Sequence, residues 1–294
     1  MKNTINQETC KKCKLCIEVC PCNILDLNEN NEIYFIPERE SICLECGQCM
    51  AVCITKSIQV NGYHYGQNIM DLPENKISYD LMLDFLANRR SVRNFKDKPV
   101  PKEVLQQIVD SISYTPYGSE HDKVHITVVD NRKTIEKALP LISKFLDDIV
   151  KWIENPFMRF MIKRKKGLET INTLQNHLYP IAKSGNYKLE YGDRITRDAP
   201  VIIIFHADKG AEEHTNNSLI YATYAMLTSH SLGLGASMIG LVPAGINKIK
   251  EVKDIFQIPP NHEAITSVII GYPKIKYKHA VKREKTHINY ISTR

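Results

Sequence analysis

The chain has 294 residues, enough for one large domain plus a small one, and its 43% hydrophobic and 24% charged content is that of an ordinary globular protein. The apolar run "VIIIF" has the length of a buried strand, so no bilayer-spanning helix is expected; "MKNTINQETC" carries no apolar secretory core, so a cytoplasmic location is expected. Net charge is +6, divided as −2 over residues 1–66 and +8 over the rest, which suits an anionic cofactor or an acidic carrier protein; no nucleic-acid motif accompanies it, and most of it reads as solvated surface.

All nine cysteines lie between positions 10 and 53, a clustering that points to metal rather than to a disulfide scaffold. Cys10, Cys13, Cys16 and Cys20, closed by Pro21, stand at the spacing Cys-x-x-Cys-x-x-Cys-x-x-x-Cys-Pro, and Cys43, Cys46, Cys49 and Cys53 repeat it. Three cysteines two apart let one loop reach three irons of a cubane, while the fourth starts to leave the loop. The run resembles that of two-cluster ferredoxins, in which the fourth cysteine ligates the other cluster. Crossed ligation then assigns Cys10, Cys13, Cys16 and Cys53 to one 4Fe–4S cluster, and Cys20, Cys43, Cys46 and Cys49 to the second. A pair of structural zinc sites is the alternative, but zinc normally uses two separated Cys-x-x-Cys pairs. The second run reads "CITKSI" and lacks the proline, which loosens the turn after Cys53. Cys22 is a ninth, unpaired cysteine, read as a small buried residue. Between the runs, Ile33, Phe35 and Ile42 alternate as in short strands covering the clusters.

The first domain is expected over 1–62, a Gly- and Pro-bearing linker over 63–79, and the second domain over 80–294. Helices are predicted in "YDLMLDFLANRR", in "PKEVLQQIVDSISY" after Pro101, and in the long apolar "NNSLIYATYAMLTSHSLGLG", closed by Gly233. "VHITVVD", "PVIIIFHA" and "AITSVIIGYP" read as strands. Helices alternate with few strands and form no regular βαβ units, so the class is α+β; no Gly-x-Gly-x-x-Gly follows a strand, so a Rossmann site is unsupported.

"RRSVRNF" (89–95), "GLGASMIG" (233–240) and "IIGYP" (269–273) before the basic "VKREK" follow one another as in the nitroreductase family of FMN enzymes, which the chain resembles from about Asp80 onward. With its front end, the whole chain resembles ferredoxin–nitroreductase fusions. The resemblance implies a mixed sheet flanked by helices, and a homodimer with each FMN at the subunit interface. Arg89, Arg90, Ser91 and Arg93 supply forked cations and a hydroxyl for a phosphate dianion; arginines complementing a helix C-terminus are the alternative. Lys282 and Arg283 match the family's C-terminal basic position, with a solvated tail as the alternative. The small residues of "GLGASMIG" let backbone approach a flat ring, with Ile239 and Gly240 at the flavin and the Gly240 N–H as a donor near N5.

The family loop after the second helix usually reads Pro-Ser-x-x-Asn-x-Gln-Pro-Trp. Here "TPYGSEHDKVH" keeps Pro116 and a small Ser119 but has Glu120 for the asparagine and Asp122 for the glutamine. Glu120 and His121 are candidate proton donors, or else loop-surface residues. Residues 143–190 read as an insertion, in which Trp152, Phe157, Phe160 and Met161 sit beside Lys163, Arg164, Lys165 and Lys166 as in a lid or dimer-packing helix; a membrane-surface helix is the alternative.

The function expected is an oxidoreductase that passes electrons from two 4Fe–4S clusters to FMN, which reduces a small conjugated acceptor (nitroaromatic, quinone or enone), with reduced ferredoxin or another low-potential carrier as donor. The alternatives are an NAD(P)H-dependent flavin reductase with the clusters as outlet, and a non-catalytic electron-transfer or redox-sensing module.

Overall fold

In the computed structural model, which describes residues 3–284 and 287–292, the cysteine repeat folds as two copies of one turn. Left-handed residues recur thirty-three positions apart: Lys12 (φ 53°) and Glu45 (φ 48°), Lys14 (φ 65°) and Gly47 (φ 69°), Asn23 (φ 49°) and Lys56 (φ 54°). Lys14 and Gly47 each open a one-turn helix, α1 (Leu15–Glu18) and α2 (Gln48–Ala51). Such a conformation costs a side-chain-bearing residue about 1 kcal/mol, and the repeat accepts it at five non-glycine positions to turn its cysteines inward. Strand β1 (Thr4–Ile5) pairs antiparallel with β4 (Ile58–Gln59), and β2 (Leu25–Leu27) with β3 (Ile33–Phe35). Ile24, Leu25, Ile33, Met50, Ile58 and Val60 form the small core. Ile42, expected inward, is 54% exposed, because Pro37–Ile42 is a 3-10 helix and not a strand. These elements belong to the first of two compact units, Met1–Ser78; the second is Tyr79–Arg294.

The second unit is built on a four-stranded sheet of β5 (Val124–Val129), β6 (Val201–Asp208), β7 (Gly235–Ile239) and β8 (His262–Gly271), in the order β5-β6-β8-β7 with every strand pair antiparallel. A parallel bridge joins Ser91 to Ala236 at the β7 edge. Strand residues alternate faces, and both faces here are covered. Ile202, Ile204 and Ile269 enter one core with the apolar side of α5 (Arg132–Glu154). Val201, Ile203, Phe205, Val268 and Ile270 enter the other with α4 (Lys102–Ile112) and α8 (His214–Ser231). That is why "VIIIF" is continuously apolar rather than alternating; each such burial contributes roughly 2 kcal/mol. The α+β class expected from the sequence holds.

The helix α3 (Tyr79–Asn88) opens this unit with no buried residue, and Tyr79, Leu81, Met82, Leu83 and Leu86 are exposed. Helices α6 (Pro156–Thr173) and α7 (Tyr179–Lys183) follow α5, while α9 (Leu241–Lys248) and α10 (Lys250–Ile255) lie between β7 and β8. Position 143, where an insertion was expected to begin, falls inside α5. From there on Phe145, Leu146, Ile149, Ile153, Ile171, Ala182 and Tyr187 join the same core as the sheet. Phe157 and Phe160 remain 68% and 58% exposed beside the basic run, and α6 breaks at Gly167 (φ 86°). No helix among the described residues is long and apolar enough to cross a membrane.

Candidate functional site

In the first unit the eight repeat cysteines divide between two cavities. Cys10, Cys13, Cys16 and Cys53 line one, with Ile5, Ile33 and Ile58 behind them. Cys20, Cys43, Cys46 and Cys49 line the other, with Ile24 and Val60. Each cavity therefore takes three cysteines from one run and the fourth from the other run. Cys22 is half-buried at the rim of the second cavity. Among the described residues no three His, Cys, Asp or Glu side chains converge tightly enough to hold a single ion. The donor set, four thiols spread around an apolar-backed hollow, suits a cubane with its irons at separate corners better than one tetrahedral zinc. Burial, with help from neighbouring thiols, pushes the Cys16 thiol up to about 11 and that of Cys49 to about 12, so metal loading must displace protons. Burial acts on Cys53 in the same direction, but the Ser57 N–H and the Thr55 hydroxyl outweigh it and hold that thiol below its usual range.

In the second unit, three distant segments meet at one edge of the sheet. The Val92 N–H donates to the Ala236 carbonyl at 3.0 Å, Lys96 N–H to that of Tyr272 at 2.8 Å, and Lys274 N–H to that of Asn94 at 2.9 Å. "RRSVRNF" is thereby laced to "GLGASMIG" and "IIGYP". The contact needs glycine: a Cβ on Gly235 would stand 2.6 Å from Val92, and one on Gly271 2.7 Å from Pro200 and 2.9 Å from Phe95. Beside the seam opens a cavity of about 500 Å³, walled by Arg89, Arg90, His230, Lys276 and Lys278 around apolar floor residues such as Phe85. The Arg90 Nε is buried and has no hydrogen-bond partner among the described residues, while its guanidinium carbon lies 5.7 Å from the Tyr277 ring. Burial, reinforced by Arg89, lowers the pKa of His230 and keeps that ring neutral at pH 7. Arg89, Arg90, Lys276 and Lys278 put four cationic side chains on one cavity wall, and such a wall fits an anionic group such as a phosphate.

The other residues singled out from sequence lie elsewhere. Ser91 is half-buried at the bridge to Ala236, and Arg93 is exposed, reaching the Ser91 carbonyl at 3.5 Å. Lys282 and Arg283 are exposed and off the cavity wall, where Lys276 and Lys278 stand instead; Lys285, which ends that run, lies outside the described residues. The Ile239 carbonyl accepts from the Ser267 hydroxyl at 2.9 Å, and Gly240 caps α9 with open space at its Cα. Pro116 is exposed. Its loop is clamped by the fully buried Asn217, whose side chain accepts from Gly118 N–H at 2.8 Å and donates to the Ser119 carbonyl at 3.1 Å. The Ser119 hydroxyl donates to Glu212 at 3.1 Å, Glu120 accepts from the Glu212 N–H at 2.7 Å, and His121 stacks on Tyr117 at 3.8 Å. Glu120 thus ties the loop to the residues just before α8, while the His121 ring packs within the loop and its carbonyl accepts from the Tyr221 hydroxyl of α8 at 3.4 Å. Sequence reasoning missed Asn217, Lys276 and Lys278; the alternation "KIKYK" directly after "IIGYP" was the available signal for the two lysines.

The nitroreductase family model matches residues 86–272, and a 4Fe-4S dicluster domain model matches residues 9–57. The chain belongs to the nitroreductase family. Among curated relatives, a protein of Methanothermobacter thermautotrophicus named putative NADH dehydrogenase/NAD(P)H nitroreductase is 24% identical over 68% of this chain and 81% of its own length. An FMN reductase [NAD(P)H] of Bacillus subtilis is 22% identical over 69% of this chain and 73% of its own. Of solved structures, a nitroreductase with bound FMN from Desulfitobacterium hafniense superposes with a TM-score of 0.52 at 20% identity, covering 72% of this chain and 98% of that one. A BluB-like flavoprotein from Clostridium difficile does so at 0.50 and 15%, covering 71% and 99%. These two establish the fold. This nitroreductase-family chain is therefore an oxidoreductase carrying an iron–sulfur dicluster domain ahead of its catalytic fold.

A second cavity of the nitroreductase unit, about 480 Å³, is lined by His125 of β5, Asp208 of β6 and His262 of β8, and a third histidine, His206 of β6, is buried behind these two rings. His206, 3% exposed, sits between the Thr127 hydroxyl at 3.0 Å and His262, Nδ1 to Nδ1 at 2.9 Å; the His125 ring stands edge-on to His262 at 4.7 Å. Burial, then His262, His125 and Lys253, lowers the pKa of His206 to about 4. The folded state thus binds fewer protons than the unfolded state between about pH 4 and 6.5, and stability falls as pH drops through that window, by at most about 1.4 kcal/mol per unit for each proton taken up. A His206→Gln variant is expected to show a flatter acid limb of thermal midpoint against pH over this range, followed by circular dichroism. An acid limb as steep as that of the parent protein would remove His206 from the account.

Proposed function

We propose that this protein is an FMN-dependent reductase whose two 4Fe–4S clusters supply electrons to the flavin for reduction of a small conjugated acceptor, a nitroaromatic, quinone or enone. The observation that carries the reading is the four-and-four division of the cysteines between two cavities, in the same chain as a cation-walled cavity at the edge of a nitroreductase sheet. FMN supplies both one- and two-electron chemistry when bound, which is what joins single-electron clusters to a two-electron substrate. The chain's own residues bind and orient. Arg89 and Arg90, with Lys276 and Lys278, hold the phosphate; the seam of residues 91–95 along β7 fixes that grip to the sheet; Ile239 and Gly240 offer backbone at the ring. The loop of Pro116 and Ser119 does not line the cation-walled cavity of its own chain. A homodimer with the flavin at the interface would let a second copy bring that loop to the site, and the exposed apolar residues of α3 supply surface for such pairing.

The names of both curated relatives refer to NAD(P)H, which favours a second reading in which NAD(P)H is the donor and the clusters are the outlet. Anaerobic turnover of a nitro, quinone and enone panel with reduced ferredoxin, and none with NADH or NADPH, supports the first reading. Turnover with the pyridine nucleotides alone supports the second.

The ligand set has its own test. Cys20→Ala is expected to lose roughly half of the approximately eight irons that two cubanes hold, and Cys22→Ala none, by iron analysis of anaerobically purified protein. Iron loss in Cys22→Ala would put that thiol among the ligands.

A further inference from the structure

Hydrogen bonds to ligand sulfurs favour the reduced, more negative state of an iron–sulfur cluster and so raise its potential. The two halves of the cysteine repeat are not equally supplied with them. After Cys53, where the repeat has lost its proline, three hydroxyls line up. The Thr9 hydroxyl donates to Ser57 Oγ at 2.9 Å, Ser57 Oγ lies 2.6 Å from Thr55 Oγ1, and Thr55 Oγ1 lies 3.7 Å from Cys53 Sγ. The Ser57 N–H reaches the same sulfur at 3.3 Å.

A cysteine bound to iron is a thiolate with no proton to give. Thr55 must therefore donate to Cys53, which leaves Ser57 to donate to Thr55 and Thr9 to donate to Ser57. The Thr55 and Ser57 O–H bonds point along the chain toward the sulfur, each polarising the next, and the Thr9 hydroxyl, which also lies 3.4 Å from the Asn6 carbonyl, has its shorter contact at Ser57. Ser57 is 5% exposed, which shields the middle of the chain from water, while Thr9 stands at its exposed end. The thirty-three-residue offset of the repeat places Ile42, Cys22 and Ile24 where Thr9, Thr55 and Ser57 stand. None of the three carries a hydroxyl, so Cys20 has no equivalent relay.

We propose that Thr55, backed by Ser57 and Thr9, is a positioning residue that makes the cluster site of Cys10, Cys13, Cys16 and Cys53 the higher-potential one of the pair, where the first electron to enter the chain comes to rest. The inference rests on the reading of these cysteines as ligands of two 4Fe–4S clusters.

The test is an anaerobic redox titration of the full-length protein followed by electron paramagnetic resonance, with iron and labile sulfide measured on every sample. In Thr55→Val the higher of the two midpoint potentials is expected to fall by about 40 mV, a roughly fivefold change in the reduced-to-oxidised ratio at 59 mV per decade. The lower potential should stay in place, and iron should stay near the parent value. Thr55→Ser should restore the parent potential. Ser57→Ala, which keeps the N–H but cuts the relay, should give a smaller fall in the same potential. Unmoved potentials in a fully loaded Thr55→Val protein, or a shift confined to the lower potential or shared by both, overturn the proposal. If Thr55→Val fails to load iron, an unmoved higher potential in Ser57→Ala overturns it instead. Parent protein far short of roughly eight irons would overturn the cluster reading itself, and the inference with it.

Discussion

Replacing Arg90 with methionine is expected to yield protein that keeps its iron but binds FMN about a hundredfold more weakly. Arg90 lines a cavity that also presents Arg89, Lys276 and Lys278, and its Nε has no acceptor among the described residues. A charge-assisted hydrogen bond to such a group contributes about 1.5–3 kcal/mol, and a forked guanidinium makes two at once; a loss of about 2.8 kcal/mol is two decades of affinity. Methionine keeps the length of the side chain, so the wall does not collapse. The measurement is fluorescence titration of flavin-free protein with FMN and, in parallel, with riboflavin. Weakening for FMN with riboflavin unchanged shows that Arg90 reads the phosphate, and equal weakening for both contradicts it. Arg90→Lys should fall between, because an ammonium keeps the charge and loses the fork.

The second large effect belongs to a residue that does not line the cavity. In Gly235→Ala the added Cβ would stand 2.6 Å from the Cβ and Cγ1 of Val92 and 2.7 Å from Cγ2. None of these is the far end of a flexible chain, so either the 91–95 segment or β7 must move. The Val92–Ala236 hydrogen bond and the Ser91 bridge would go with it. Overpacking of this kind costs about 1–3 kcal/mol, and the arginines just before the seam lose their anchorage. Gly235→Ala is expected to lower the denaturation midpoint and to release FMN as well. Gly240→Ala, where nothing lies within 4 Å of the new methyl, should keep the parent stability. Equal stability for Gly235→Ala and the parent would show that the seam is not a tight contact.

Which parts of this could be read from the sequence follows from the range over which each signal acts. The division of the cysteines is legible because a cubane imposes spacing locally, and a doubled spacing is hard to produce by chance. The seam was legible as three motifs but not as a contact, since its reason is the missing Cβ at Gly235 and Gly271, each set against a residue far away in sequence. The long helix α5 contains Pro140 and crosses position 143, where the insertion was expected to begin. The helix runs through it because Ile135, Leu139, Ile142, Leu146, Ile149 and Ile153 keep one continuous buried face. The histidine cluster left no trace in any single segment: β5, β6 and β8 contribute one ring each, and only the register that sets His125 against His206 and Asp208 against His262 gathers them. The basic tail repeats its cations, at 274, 276, 278, 282, 283 and 285, so the step from Lys276 and Lys278 to Lys282 and Arg283 could be settled only by where the backbone leaves β8.

The most direct test of the account is anaerobic stopped-flow of the full-length protein with dithionite-reduced ferredoxin, recording the cluster and flavin absorbances together. Flavin bleaching is expected to follow cluster bleaching, and a variant unable to load one cluster, such as Cys20→Ala, is expected to bleach its flavin far more slowly. Clusters that bleach fully while the flavin stays oxidised would contradict it.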